Sequence, residues 1–279
     1  MKHMMMLGAV CAVLAGGAFA APSVERGEYI VRGPGGCGNC HTPMGPDGPV
    51  MAQELAGRLV EANDMFTAIA PNLTPAGAIA GWSDAELAHA IREGLRPDGS
   101  LIGPPMPIGM YRGLGDDDLA SIVMFLRTLP AVENDPGTSS YNIPLPPAYG
   151  PPVTAVTAPV AGVTVEYGEY LATSISHCME CHTTFGPTGP MLETDLGRGG
   201  FEFHGPWGVS VAPNITSHDD GIAKYSDAEL AAMITRGKRP GDVPMLPPMP
   251  YGHFAQLTDD DLAAIILYLR ALPPLPDKG

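Results

Sequence analysis

The chain has 279 residues, of which 15 are basic and 30 acidic, giving a formal net charge of −15. That balance excludes a nucleic-acid role, which depends on clustered Lys and Arg set against phosphates. Several acids open helices, as in Asp116-Asp117-Asp118 and Asp259-Asp260-Asp261, where they complement the helix dipole; attraction to a basic partner surface is the competing explanation.

Lys2 and His3 precede an apolar run from Met4 to Ala18, and Ala18-Phe19-Ala20 has the small-x-small form of a cleavage site. Residues 1–20 therefore read as an export signal that is removed, placing the protein in a bacterial periplasm. The run is too short to span a bilayer, and no later stretch reaches the roughly 18 to 20 apolar residues that a spanning helix needs. A soluble or peripherally held protein of about 259 residues is expected, room for two ordinary domains. Of the five cysteines, Cys11 leaves with the signal.

A first helix is predicted from Val24 to Arg32, followed by Cys37, Cys40 and His41 in the pattern Cys-x-x-Cys-His. This is the attachment sequence of c-type haem. Cysteines three apart on a helical turn share a face, so both sulfurs can form thioethers to one porphyrin, and the next histidine falls where its imidazole can bind the iron. Cys178, Cys181 and His182 repeat the pattern. A zinc site would not need a histidine directly after both pairs, and a dithiol oxidoreductase would not repeat its motif. Two covalent haems follow, and they use all four remaining cysteines, so no disulfide is expected.

A second helix opens at Ser83 with Glu86 three residues on, a capping box, and Trp82 and Leu87 are placed as a hydrophobic staple. Proline-flanked Met106 follows in Pro104-Pro105-Met106-Pro107. A third helix runs from Asp116 to Leu129, with Leu119, Ile122, Val123 and Leu126 at helical spacing. Prolines crowd the stretch from Ile143 to Pro159, which reads as an extended, stiff connector.

Beyond it the first half recurs. Gly27-Glu28-Tyr29 matches Gly168-Glu169-Tyr170, Pro71-Asn72 matches Pro213-Asn214, and Ser83 to Leu87 matches Ser226 to Leu230. Pro104 to Pro107 matches Pro247 to Pro250, and the helix from Asp116 matches that from Asp259. One unit has been duplicated with small loop insertions: domain 1 spans residues 21–135, a Pro-rich linker 136–160 and domain 2 161–279, mainly α. A hairpin from Gly199 to Val211 is read as special to the second unit.

The sixth iron ligand separates an electron carrier from a haem open to reagents. Methionine sulfur opposite histidine favours ferrous iron and raises the potential. Met106 and Met249 are the downstream pair found in both units, 65 and 67 residues after their histidines, and the flanking prolines stiffen each loop. Met110 faces His253 in the repeat and Met245 faces Ile102, so neither recurs; His253 is the alternative ligand in the second unit. Arg96 and Arg239, matched just before these loops, could pair with haem propionates. Trp82 and Tyr225 could donate to a propionate, although the staple accounts for them. Asn72 and Asn214 are candidates to anchor the loop beside the haem. His89, His177, His204 and His218 are not expected to bind iron.

With these residues in hand, the chain resembles dihaem cytochromes c built from two class I domains. It is most similar to the cytochrome c subunits of bacterial periplasmic dehydrogenases of the alcohol, gluconate and aldehyde types. The resemblance rests on the haem motifs, the Asn72-Leu73-Thr74 and Asn214-Ile215-Thr216 segments, the capped helices, the Pro-Pro-Met-Pro loops and the closing Leu-Arg-x-Leu-Pro runs. It implies electron delivery from a dehydrogenase donor towards a terminal oxidase or another cytochrome, without chemistry on an organic substrate. The three-haem subunits carry a third unit, and some a membrane anchor; their absence here argues against direct quinone reduction. A dihaem peroxidase or oxidase with one reactive haem is the alternative, and two matched methionine loops speak against it.

Overall fold

The structure, a computed structural model, describes residues 21–187 and 189–278. The expected export signal, Cys11 included, lies outside the described residues. The chain is mainly α, about 35% helical and 13% strand. No helix among the described residues is long and apolar enough to cross a membrane.

The first half contains α1 (Val24–Arg32), α2 (Cys37–His41), α3 (Asp84–Glu93), α4 (Ile108–Tyr111) and α5 (Asp116–Thr128). In the second half come α6 (Val165–Tyr170), α7 (Cys178–Cys181), α8 (Asp227–Arg236), α9 (Tyr251–Phe254) and α10 (Asp259–Ala271). After Tyr170 the helix opened at Val165 loosens into a π turn over Leu171–Ile175, closed by the Ser176 amide on the Leu171 carbonyl. Both predicted capping boxes form: Ser83 and Glu86 bond reciprocally at the head of α3, as do Ser226 and Glu229 at α8.

Each half is built on a crossing of two helices, α1 on α5 and α6 on α10. The predicted stripe of α5 is buried at Leu119, Ile122, Val123 and Leu126. Glycine permits the close approach: a Cβ on Gly27 would lie 1.9 Å from the Ser121 carbonyl oxygen, and one on Gly168 1.9 Å from that of Ala264. Gly168→Ala must push α6 off α10, and overpacking of this kind costs ~2 kcal/mol or more. A denaturant midpoint lowered without a change in slope is the expected result.

The two halves share one contiguous apolar core, with Ile30, Leu119 and Leu126 in the same cluster as Leu171, Ile265 and Leu269. Reciprocal polar clasps cross between them. The Tyr170 hydroxyl donates to Asp118 Oδ2 at 2.6 Å and accepts the Gly115 amide at 3.0 Å. The Tyr29 hydroxyl donates to Asp261 Oδ2 at 2.6 Å and accepts the Thr258 amide at 3.3 Å. Tyr29 matches Tyr170 and Asp118 matches Asp261 in the repeat, so the halves meet through equivalent surfaces.

One expectation is corrected. A hairpin is not special to the second half: Arg58–Ala62 pairs with Phe66–Ala70 in the first, just as Glu202–Gly205 pairs with Gly208–Val211 in the second. Asn63 forms the first turn, its side-chain oxygen accepting the Met65 and Phe66 amides at 2.9 and 3.0 Å. The proline-rich stretch packs on the first half. Ser140–Tyr141 adds a third strand beside Phe66–Ala70, and the Tyr149 hydroxyl donates to the Ile102 carbonyl at 2.8 Å. Its prolines stiffen a segment that lies along the first half.

Candidate cofactor sites

Both Cys-x-x-Cys-His motifs form a single helical turn entered through a left-handed residue, Gly36 at φ +57° and His177 at φ +41°. None of the four cysteines forms a disulfide. Burial pushes the Cys37, Cys178 and Cys181 thiols up to about 12, so all three stay protonated at neutral pH.

The histidines are held alike. The Nδ1–H of His41 donates to the Pro71 carbonyl at 2.8 Å, and that of His182 to the Pro213 carbonyl at 2.8 Å. Burial pushes His41 down to about 4 and lowers His182 as well. Each imidazole is therefore neutral, with Nδ1 occupied and the Nε2 lone pair left to act as a ligand, the arrangement by which an outer acceptor fixes a ligand's tautomer. The repeat matches Pro71 with Pro213 but does not show this task; the need of a buried imidazole for an acceptor is the signal for it.

Asn72 and Asn214 hold these acceptor loops in place. Asn72 Nδ2 donates to the Val132 carbonyl at 2.8 Å while its Oδ1 accepts the Thr74 amide at 2.9 Å. Asn214 Nδ2 donates to the Leu275 carbonyl at 2.7 Å and its Oδ1 accepts the Thr216 amide at 2.9 Å. Each side chain thus ties the loop beside a histidine to the segment leaving the last helix of its half.

In the second half these residues surround an apolar cavity. Cys178, His182, Met245 and Met249 line it together with Leu230 and Ile265, and it opens partly to solvent. Ser176 also lines it, with a buried hydroxyl that has no partner. In the first half His41 is buried, and Cys37 and Met106 pack against the shared core. The donor set fits a covalently attached haem in chemical type: paired thiols, a neutral imidazole fixed at its far nitrogen, thioether sulfur and apolar walls.

The remaining candidates divide. Arg96 turns back on its own loop, Nη1 donating to the Leu101 carbonyl at 2.9 Å and to Ser100 Oγ at 3.2 Å. Arg239 is exposed on the short strand Lys238–Arg239. Arg58, not foreseen, lies closer to the chemistry: its Nη2 donates to the Asn39 carbonyl inside the first motif at 2.8 Å, and its Nε is buried without a partner. Trp82 and Tyr225 pack against the core, as the staple predicts. His253 is drawn away from the second cavity's ligand set, its Nδ1–H donating to the Arg32 carbonyl of the first half at 2.7 Å.

That contact has a counterpart. A Cβ on Gly38, inside the first motif, would lie 3.1 Å from His253 Cε1, while His177, just before the second motif, meets Tyr111 edge-on at 5.8 Å between ring centroids. Each attachment turn is thus met by a residue of the short helix that follows the other half's methionine loop, His253 of α9 at the first and Tyr111 of α4 at the second.

The chain is 28% identical over 278 residues to the fructose dehydrogenase cytochrome subunit of Gluconobacter japonicus, covering 92% of this chain and 54% of that protein. It is 29% identical over 273 residues to a diheme cytochrome c-type protein of Cereibacter sphaeroides, covering 90% and 86%. The chain is homologous to cytochrome c subunits of bacterial dehydrogenases. The alcohol dehydrogenase (quinone) cytochrome c subunit of Gluconobacter oxydans is 27% identical over 278 residues, covering 91% and 55%. The chain spans about half the length of these dehydrogenase subunits. No family model matches it.

Proposed function

We propose that this chain is a periplasmic dihaem cytochrome c of two tandem class I domains, residues 21–135 and 161–279 joined by residues 136–160, carrying electrons between protein partners. The observation that carries the reading is the duplicated arrangement of Cys-x-x-Cys-His with a buried or partly buried imidazole fixed to a proline carbonyl at 2.8 Å in both halves. Cys37 and Cys40, and Cys178 and Cys181, would hold one haem c each; His41 and Met106, and His182 and Met249, would be the axial ligands. A haem so held supplies a one-electron ferric/ferrous couple. Pro71 and Pro213 keep the histidines basic and oriented, and the apolar walls limit water at the metal.

The donor would be a dehydrogenase, for which this chain acts as cytochrome subunit or acceptor, and electrons would leave towards an oxidase or another cytochrome. The homologous subunits and the duplicated attachment turns support this reading. Alkaline pyridine haemochrome measurement on protein matured in an exporting host tests it: two haems c per chain are expected, with two one-electron steps in a redox titration. One haem or none, or spectra of an open five-coordinate iron in both centres, would overturn it.

A further inference from the structure

The duplication makes the two attachment turns directly comparable, and they differ in charge. Gly57 and Gly199 occupy equivalent places. Their amides donate to the His41 and His182 carbonyls at 2.6 and 2.7 Å, and a Cβ would lie 2.7 Å from the Ala70 carbonyl oxygen in one and 2.5 Å from that of Ala212 in the other. The next residue is Arg58 in the first half and Gly200 in the second. Inside the motifs, the position before the second cysteine is Asn39 in the first half and Glu180 in the second. The first turn gains a cation that the second lacks, and the second carries a carboxylate where the first has a neutral amide.

The cation is held in place. Arg58 Nη2 donates to the Asn39 carbonyl at 2.8 Å and Nη1 to the Leu59 carbonyl at 3.0 Å, while Nε is buried without a partner. Both acceptors are neutral, so neither bond offsets the charge. Its field reaches the motif: burial raises the Cys40 thiol, Arg58 pulls it back down, and Glu180 raises it by less than Arg58 lowers it. Beyond the effects of burial and the Pro71 bond, Arg58 also lowers His41. In the second motif the sign reverses, for burial and, next, Glu180 push the Cys181 thiol up to about 12.

A fixed positive charge opposes the extra positive charge of ferric iron, and a negative one supports it. Salt screens such charges less where they are partly buried. The proposed axial ligands are of the same kinds in both halves, so they do not order the centres. We infer that Arg58 makes the first centre the more oxidising of the two, with Glu180 holding the second lower. Electrons entering at the haem of Cys178 and Cys181 therefore settle on that of Cys37 and Cys40. The inference rests on the proposed function in taking each turn as a haem attachment.

Redox titration of the two-haem protein at constant pH and ionic strength tests it, with haem per chain counted for each variant. Arg58→Gln is expected to lower the reduction equilibrium of the upper step at least threefold, about 28 mV at 59 mV per tenfold, and to move the lower step less. Arg58→Lys keeps the charge and is expected to leave the upper step close to its parent position. Glu180→Gln is expected to raise the lower step by a like factor, and it decides the case alone if Arg58→Gln is recovered without haem. With two haems per chain present, a shift by Arg58→Gln confined to the lower step, no shift of either step, or equal shifts in the Gln and Lys variants overturns the inference and leaves the proposed function standing. An upper step moved most by Glu180→Gln overturns it as well. Fewer than two haems in the parent protein overturns both.

Discussion

Met249→Ala is expected to lower the midpoint potential of the second centre by on the order of 0.1 V, a fraction of the ~0.8 V over which axial ligands set haem potentials. Removing the soft, neutral sulfur withdraws its preference for ferrous iron. The weak near-infrared methionine-to-ferric band of that centre should vanish, leaving the first centre's intact. Met245 makes the experiment decisive, since it lines the same cavity. It stands opposite Ile102 in the repeat, whereas Met249 stands opposite Met106. Met245→Ala is therefore expected to leave band and potential nearly unchanged. The reverse outcome would transfer the ligand role to Met245.

Asp118→Ala is expected to destabilise the protein by ~3 kcal/mol, the lower end of the cost of breaking a buried pair. Asp118 accepts from Arg26 Nε at 2.7 Å, from Arg26 Nη2 at 3.1 Å and from the Tyr170 hydroxyl at 2.6 Å. Truncation strands a partly buried guanidinium and a phenol at the seam between the halves. For a chain of this size the loss corresponds to a fall in Tm of roughly 6 to 12 °C. Tyr170→Phe alone should cost ~1 kcal/mol, and the double variant less than the two together, because both remove the same bond. A Tm within 1 °C of the parent would show that the clasp is not a source of stability.

Much of this was legible in the residues. Helical spacing gave the stripe on α5, and the Ser-x-x-Glu pattern gave the caps of α3 and α8, because both are local rules set by the backbone's own period. The duplication reaches further than either, since it alone singles out Met106 and Met249 as the proposed ligands. What escaped it was non-local. The Tyr29–Asp261 and Tyr170–Asp118 clasps join residues 232 and 52 positions apart, and nothing in either neighbourhood announces the other. The first hairpin was missed because Arg58 to Ala70 alternates weakly and its turn, Asn63-Asp64-Met65, lacks glycine. His253 is a ligand candidate by sequence because it faces Met110 in the repeat; only packing reveals that its Nδ1 is engaged by the Arg32 carbonyl.

Contact across the attachment turns bears on how the proposed holoprotein would be made. Cys37 and Cys178 both pack against a core contributed by the two halves together, and His253 of α9 and Tyr111 of α4 lie against the turns of the opposite halves. If the thiols carry porphyrin as proposed, joining it before the halves meet would spare the shared core from reopening. Thioether formation would then precede closure, and a half that misses its cofactor would leave the common seam incomplete.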